Sequence, residues 1–139
     1  MKNVLKKWVL VTLAICLLFA SANPVTASAA AYKKSISKEF AMARIDIHGM
    51  PVYAKKATKA TVTVKVTDKD AFDFYVQDEN TRHDSNGKKK VSYTIKLAKG
   101  ENFIFVGSEN ENENVPIDAM QNVKFTIKSK KAYLKFSNQ

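Results

Sequence analysis

The segment from Ala60 to Val66 places the tightest limit on what this chain can become. Ala60, Val62, Val64 and Val66 alternate with Thr61, Thr63 and Lys65. A two-residue period sends branched apolar side chains to one side of an extended backbone and polar ones to the other. That fits a half-buried strand and not the 3.6-residue period of a helix. The same period recurs downstream. Phe72, Phe74 and Val76 alternate with Asp73, Tyr75 and Gln77. Val91, Tyr93, Ile95 and Leu97 alternate with Ser92, Thr94 and Lys96, and Val123, Phe125 and Ile127 with Lys124, Thr126 and Lys128. Turn signals separate these runs: Asp68-Lys69-Asp70, Asn86-Gly87 and Lys99-Gly100. Asn-Gly in particular tolerates the positive φ that tight hairpins require.

Other segments read less uniformly. Phe103 to Val106 is four consecutive apolar residues, which predicts a strand covered on both faces. A last short strand is predicted over Ala132 to Phe136. Phe40 to Ile47 reads as one strand, or Ser37 to Arg44 as a short helical turn. Gly49-Met50-Pro51 is expected to break either, with another short strand beginning at Val52-Tyr53. The result is seven or eight short strands at about ten-residue spacing, hence an all-β fold. A small antiparallel β-sandwich, jelly-roll or Ig-like, is the expected architecture. Phe72, Phe74, Tyr93, Phe103, Phe105, Phe125 and Phe136 are expected to face its core, and Tyr75 to lie on the opposite, exposed side.

The first thirty residues specify an address. Lys2, Lys6 and Lys7 form a basic head, Trp8 to Ala20 an apolar run broken only by Thr12, and Ala27-Ser28-Ala29 a small-residue cleavage site. That is the layout of a secretory signal peptide, residues 1–29, cut after Ala29 or Ala30. The run is too short to span a bilayer, which takes about 20 residues. Cys16, the one cysteine, follows Ile15 and precedes further apolar residues, so it reads as part of the signal and not as a lipidation site. Residues 30–139 then form a single domain without disulfides, which must rest on its core alone. The expected location is secreted, either extracellular or associated with the cell wall.

Charge bounds the partners. The chain has 23 Lys and Arg against 13 Asp and Glu, and 20 against 13 once the signal lysines are removed. A basic exported protein attracts anionic wall or matrix polymers in a salt-dependent way. Export argues against an intracellular nucleic-acid partner. Lys88, Lys89 and Lys90 after the Asn86-Gly87 turn, and Lys130 and Lys131 near the end, are the candidate polymer-binding residues. Lysines in turns also guard sheet edges.

Chemistry-bearing constellations are sparse. Asp68, Asp70 and Asp73 place three carboxylates near one turn and are the calcium candidates. They lack the Gly and the bidentate Glu of a helix–loop–helix calcium loop. The Glu-Asn alternation from Glu109 to Asn114 reads as a solvated, mobile acidic loop. His48 and His83 are isolated and do not make the spaced cluster that zinc requires. No Gly-x-Ser-x-Gly elbow and no phosphate-cradling glycine loop is present. No catalytic residue and no cofactor-binding residue is singled out, and the chain reads as a non-enzyme.

Val62 to Thr126 resembles the small β-sandwich modules of the bacterial pre-peptidase C-terminal type, found after the catalytic domains of secreted peptidases. The resemblance is carried by three pieces: the alternating strand entering the Asp-rich turn and Ala71-Phe72-Asp73-Phe74-Tyr75-Val76, the Asn86-Gly87 loop, and Ala98 to Val106. It implies a jelly-roll-like sandwich, with substrate adhesion and calcium near the loops in some members. The leading functional expectation is a secreted, non-catalytic protein that associates with an anionic wall or matrix polymer. The alternative is a small secreted inhibitor, immunity or antimicrobial protein acting on a protein partner.

Overall fold

The computed structural model describes residues 31–137. The signal segment, Cys16 and the cleavage site lie outside the described residues. Among the described residues nine strands follow one another: β1 (Ser35–Ala43), β2 (Ile45–Ala54), β3 (Thr58–Val66), β4 (Tyr75–Gln77), β5 (Arg82–Asp84), β6 (Lys90–Leu97), β7 (Gly100–Glu109), β8 (Met120–Ser129) and β9 (Leu134–Phe136). They form two sheets, one ordered β1-β8-β3-β6 and the other β5-β4-β7-β2-β9.

The pairing has a simple logic. β1 pairs with β8, β2 with β7, β3 with β6 and β4 with β5, all antiparallel. The first eight strands are therefore one long hairpin, rolled so that successive pairs fall alternately into the two sheets. That is jelly-roll topology, which decides between the two sandwich types expected. β9 is the additional strand, laid against β2 along Val52–Ala54. At the Ser85–Lys88 turn the Lys88 amide donates to the Ser85 carbonyl at 3.0 Å. Asn86 and Gly87 between them have φ of 48° and 77°. This is the tight turn the Asn-Gly pair predicts.

One hydrophobic core lies between the sheets. Val62, Val64, Val66, Phe125 and Ile127 come from one side, and Met50, Val52, Ile104 and Val106 from the other. Phe72 and Phe74 are buried as expected but do so from an irregular segment ahead of β4. Their amides are satisfied individually: Phe72 N–H donates to Gln121 Oε1 at 3.0 Å and Phe74 N–H to Ser85 Oγ at 3.0 Å. Without those side chains the segment would hold buried, unpaired amides.

Several expectations are corrected. There is no helical turn over Ser37–Arg44 and no single strand over Phe40–Ile47: β1 ends at Ala43, and the chain passes at Arg44 into β2 of the other sheet. Gly49-Met50-Pro51 does not break β2. The Pro51 carbonyl accepts a bond from Ser137 N–H at 3.0 Å, so the missing proline N–H faces the β9 side, beyond that strand's paired residues, and removes nothing from the β7 ladder. Phe103 to Val106 is not covered on both faces. Ile104 and Val106 are buried, whereas Phe103 and Phe105 are 45% and 37% exposed. A two-layer fold has one interior, and the pleat sends alternate β7 residues out of it. Tyr75 is the converse case. It lies on the outer face yet is only 5% exposed.

Core and surface positions on one strand should respond differently to truncation. Phe125→Ala is expected to lower the unfolding free energy by about 3–5 kcal/mol. Thr126→Ala, on the other side of the same strand, should stay within about 0.5 kcal/mol. Urea unfolding followed by circular dichroism measures both, and equal effects would contradict the assignment of faces.

Candidate functional site

The two outer faces of the sandwich are chemically unlike. The strands β1, β8, β3 and β6 carry six lysines at outward positions and one carboxylate, Glu39; a seventh lysine, Lys38, has the inward parity and stands opposite Phe125 at the sheet edge. The strands of the other sheet carry Arg82 and Lys135 against Asp46, Asp84, Glu101 and Glu109. The basic excess of the chain is thus concentrated on one sheet.

On the lysine-bearing face the register sets out rows of side chains. Ser37, Thr126, Thr63 and Ser92 lie side by side across four strands. Thr63 and Ser92 hydroxyls share a hydrogen bond of 2.9 Å. The next row toward one end is Glu39, Lys124, Lys65 and Lys90. Glu39 pairs with Lys124 at 2.9 Å, which leaves Lys65 and Lys90 directly opposite each other. Toward the other end Lys128 pairs with Thr61, and Lys59 stands opposite Lys96. There a shallow depression of about 550 Å³ opens, lined by Lys59, Lys128 and Lys130 with Thr58, Thr61 and Thr94.

The face of the five-stranded sheet is apolar along its middle. Ile45 and Ile47 of β2 are 64% and 59% exposed, and further along the same two strands Phe105 and Phe103 of β7 stand opposite Gly49 and Pro51, so the apolar residues follow one another along the sheet. Two glycines keep the surface flat. A Cβ on Gly49 would touch the Phe105 ring at 3.7 Å. At Gly107 a Cβ would collide with the Tyr75 ring at 2.5 Å, so that ring fills the space a side chain would take. Arg82 then covers Tyr75, its guanidinium carbon 3.9 Å from the ring centroid. Arg82 is held by Asp84 at 3.0 Å and Glu109 at 3.2 Å, which push its guanidinium still further toward the charged form. Burial raises the Tyr75 hydroxyl above its ordinary range, so it stays neutral. Beside this stack lies an acidic cleft of about 290 Å³, lined by Asp73, Asp84, Glu109 and Glu111 around the single Arg82.

The residues expected to carry function are distributed differently from the expectation. Lys88, Lys89 and Lys90 lie at the end of the sheet where β6 begins, while Lys130 and Lys131 follow β8 at the opposite end, so the two runs do not converge. Lys90 and Lys130 join the lysine-bearing surface. Lys89 instead turns back, its ammonium donating to the carbonyls of Asp68 at 2.8 Å and Lys69 at 3.0 Å.

The calcium candidates also separate. Asp68 accepts from the amide and side chain of Asn122. Asp73 accepts from Ser85 Oγ at 2.7 Å and from Gly87 N–H at 2.6 Å. Asp70 is exposed in the turn. Among the described residues no three His, Cys, Asp or Glu side chains come together as metal ligands. The Lys89 ammonium on the Asp68 and Lys69 carbonyls further opposes a cation there.

The acidic Glu-Asn loop is pinned rather than free. Arg44 Nη1 donates to the Asn112 carbonyl at 3.0 Å and to the Val115 carbonyl at 2.6 Å. Asn110 and Asn112 each close a local turn through their own side chains. His48 Nε2 sits 2.8 Å from Asp46 Oδ2, and His83 stacks on Tyr93 with centroids 3.8 Å apart. Among the described residues neither histidine hydrogen-bonds to a hydroxyl, so neither is paired with a serine or threonine nucleophile.

Sequence reasoning missed Ile45 and Ile47. Their signal is a change of parity within one strand. Apolar residues occupy odd positions before Gly49 and even positions, Met50, Val52 and Ala54, after it. A straight strand with that pattern must show apolar side chains on both faces.

No family model matches the chain, and no curated protein matches it. Among solved structures it is similar to PliG of Aeromonas hydrophila, a periplasmic inhibitor of g-type lysozyme. Identity is 16% and the TM-score 0.46, over 77% of this chain and 94% of that chain.

Asp73 shapes the acidic cleft and has a testable signature. The Ser85 hydroxyl, then the Gly87 amide, hold its carboxyl below the usual range. A carboxylate with a depressed folded pKa stabilises above its unfolded value, near 3.9, and that contribution is lost as pH falls through the lower folded value. Asp73→Ala is therefore expected to cost about 1 kcal/mol at pH 7, the surface position screening the interaction. The gap from wild type should narrow on acidification below about pH 4. Urea unfolding at a series of pH values checks this, and a gap independent of pH would refute the carboxylate's role.

Proposed function

We propose that this is an exported, non-catalytic binding module that engages a protein partner through the outer face of the five-stranded sheet. The exposed apolar band of Ile45, Ile47, Phe103 and Phe105 on an otherwise regular sheet is the observation that carries this reading. Outer faces of antiparallel sheets normally alternate to polar residues. Exposed apolar side chains grouped together and rimmed by polar ones mark contact surfaces in soluble proteins. The band supplies the aromatic rings of an interface centre, and Arg82 stands at its rim.

Its rim defines the partner's chemistry. The Arg82–Tyr75 stack presents a rigid, already paired cation, which loses little entropy on docking. The cleft beside it offers four carboxylates to one guanidinium and so suits a lysine or arginine from the partner. The partner is thus a protein with an apolar patch next to a basic side chain. This is the inhibitor-type alternative in its general form, a small secreted protein acting on another protein. The action proposed is occupancy of the partner's surface.

The secreted protein, immobilised and exposed to spent culture medium, should capture one saturable partner that resists washing with moderate salt. Ile47→Glu and Phe105→Glu are each expected to weaken that capture at least tenfold, since each places an unpaired charge in a dry interface centre. Lys88→Gln should leave it unchanged. Full capture by both Glu variants would overturn the reading.

A further inference from the structure

We infer that the opposite face, built by β1, β8, β3 and β6, is a second and separate docking surface for a linear phosphodiester polymer. Three observations converge on it. The first is the segregation of charge: six lysines at outward positions, Lys59, Lys65, Lys90, Lys96, Lys124 and Lys128, to one carboxylate, Glu39, over four strands. The second is the register. Lys65 faces Lys90 across β3 and β6, Lys65 faces Lys124 across β3 and β8, and Lys59 faces Lys96. Like charges directly opposite in a sheet repel. The face therefore holds stored repulsion, relieved only in part by Glu39 at Lys124. A bound polyanion removes it.

The third observation is the hydroxyl field between the lysine rows. Thr61, Thr63, Thr126, Ser37, Ser92 and Thr94 share the face. Their strands lie about 4.8 Å apart, and successive outward residues about 6.8 Å apart along each strand. Lys59 and Lys65 stand six residues apart on β3, about 20 Å. A ligand that satisfies both lysine rows must be an extended chain with repeated negative groups, bridged over hydroxyl donors. A small anion fits only one row or the depression at Lys59, Lys128 and Lys130.

Phosphate is preferred to carboxylate on geometric grounds. Planar carboxylates are best held by the forked guanidinium of arginine. Neither Arg44 nor Arg82 belongs to a strand of this sheet. Lysine acts as a point charge and suits a tetrahedral phosphate, whose oxygens accept from many directions, and serine and threonine hydroxyls donate to the same oxygens. The face therefore differs from the turn-lysine site expected from the sequence: it uses Lys59, Lys65, Lys96, Lys124 and Lys128 of the strands together with Lys90 and Lys130. It is also independent of the apolar band, which lies on the other side of the core.

The test is binding of the secreted protein to synthetic poly(glycerol phosphate), measured by calorimetry from 20 to about 300 mM salt, with poly-glutamate of equal charge as the comparison. Poly(glycerol phosphate) should bind more tightly than poly-glutamate, with affinity falling steeply as salt rises. The triple variant Lys65→Gln, Lys90→Gln, Lys124→Gln should bind at least tenfold more weakly, with a shallower salt dependence. It should also melt at a higher temperature than wild type at low salt without polymer, because the repulsion is gone; that readout shows it is folded. The triple variant Lys88→Gln, Lys89→Gln, Lys131→Gln should bind within about threefold of wild type, and Phe105→Glu should bind as wild type does. Equal or tighter binding of poly-glutamate, no salt-dependent binding, or a larger loss from the turn-lysine triple would each overturn the inference. Loss of protein capture with polymer binding intact would strike the apolar band alone.

Discussion

A two-layer sandwich has one interior, and everything else in this molecule follows from that constraint. Each strand can bury only alternate residues, so each strand also makes a second, outward statement. On β3 and β8 that statement is Thr and Lys behind Val, Phe and Ile. On β7 it is Phe103 and Phe105 behind Ile104 and Val106. The inward set makes the fold stable by removing apolar area from water. The outward set contributes little to stability and is free to be chosen for contact. The jelly-roll path then gathers those choices. β3, β6 and β8 are far apart in the chain, yet their lysines reach one plane, and β2 and β7 bring their exposed Ile and Phe residues into the other.

Much of the fold was readable because alternation is a local signal. The strands at Ala60–Val66, Val91–Leu97 and Val123–Ile127 lie within β3, β6 and β8, and the Asn86-Gly87 turn took the positive φ its composition suits. What failed was information that needs a neighbour. Pro51 looked like a breaker because the sequence does not show that its missing N–H faces beyond the short β9. Phe105 looked like core because four apolar residues in a row say nothing about how many layers cover them. Tyr75 looked exposed because its cover comes from Gly107 and Arg82, on two other strands. The candidate sites were less legible than the fold. Lysine runs in turns attract attention, but single lysines at outward positions of separate strands form the larger surface, and only pairing register reveals it.

The charge arrangement has an energetic meaning. Placing Lys65 between Lys90 and Lys124 costs stability in a disulfide-free domain whose margin is small. Outside the cross-strand ladder, by contrast, three cations are matched within the structure. Arg44 pins the Glu-Asn loop through carbonyls, Arg82 is bracketed by two carboxylates over a tyrosine ring, and Lys89 caps the carbonyls of the Asp68–Lys69 turn. The chain can evidently neutralise a cation within its own structure. On the lysine-bearing face, among the described residues, the same economy reaches only Lys124 through Glu39, which points to a counter-charge supplied from outside.

The two faces also make different physical demands on a partner. An apolar band with a rigid arginine at its rim gains from desolvation, so contacts there resist salt and depend on shape. A lysine and hydroxyl lattice gains from ion release, so contacts there are loosened by salt and tolerate many positions along a repeating polymer. The core separates them, and neither set of contacts competes for a side chain with the other. A molecule so built can rest on a charged polymer by its β1-β8-β3-β6 face while the β2–β7 face remains open to a protein. Holding a binder on a surface in this way raises its effective concentration for partners that work at that surface, without any change in the affinity of the apolar face itself.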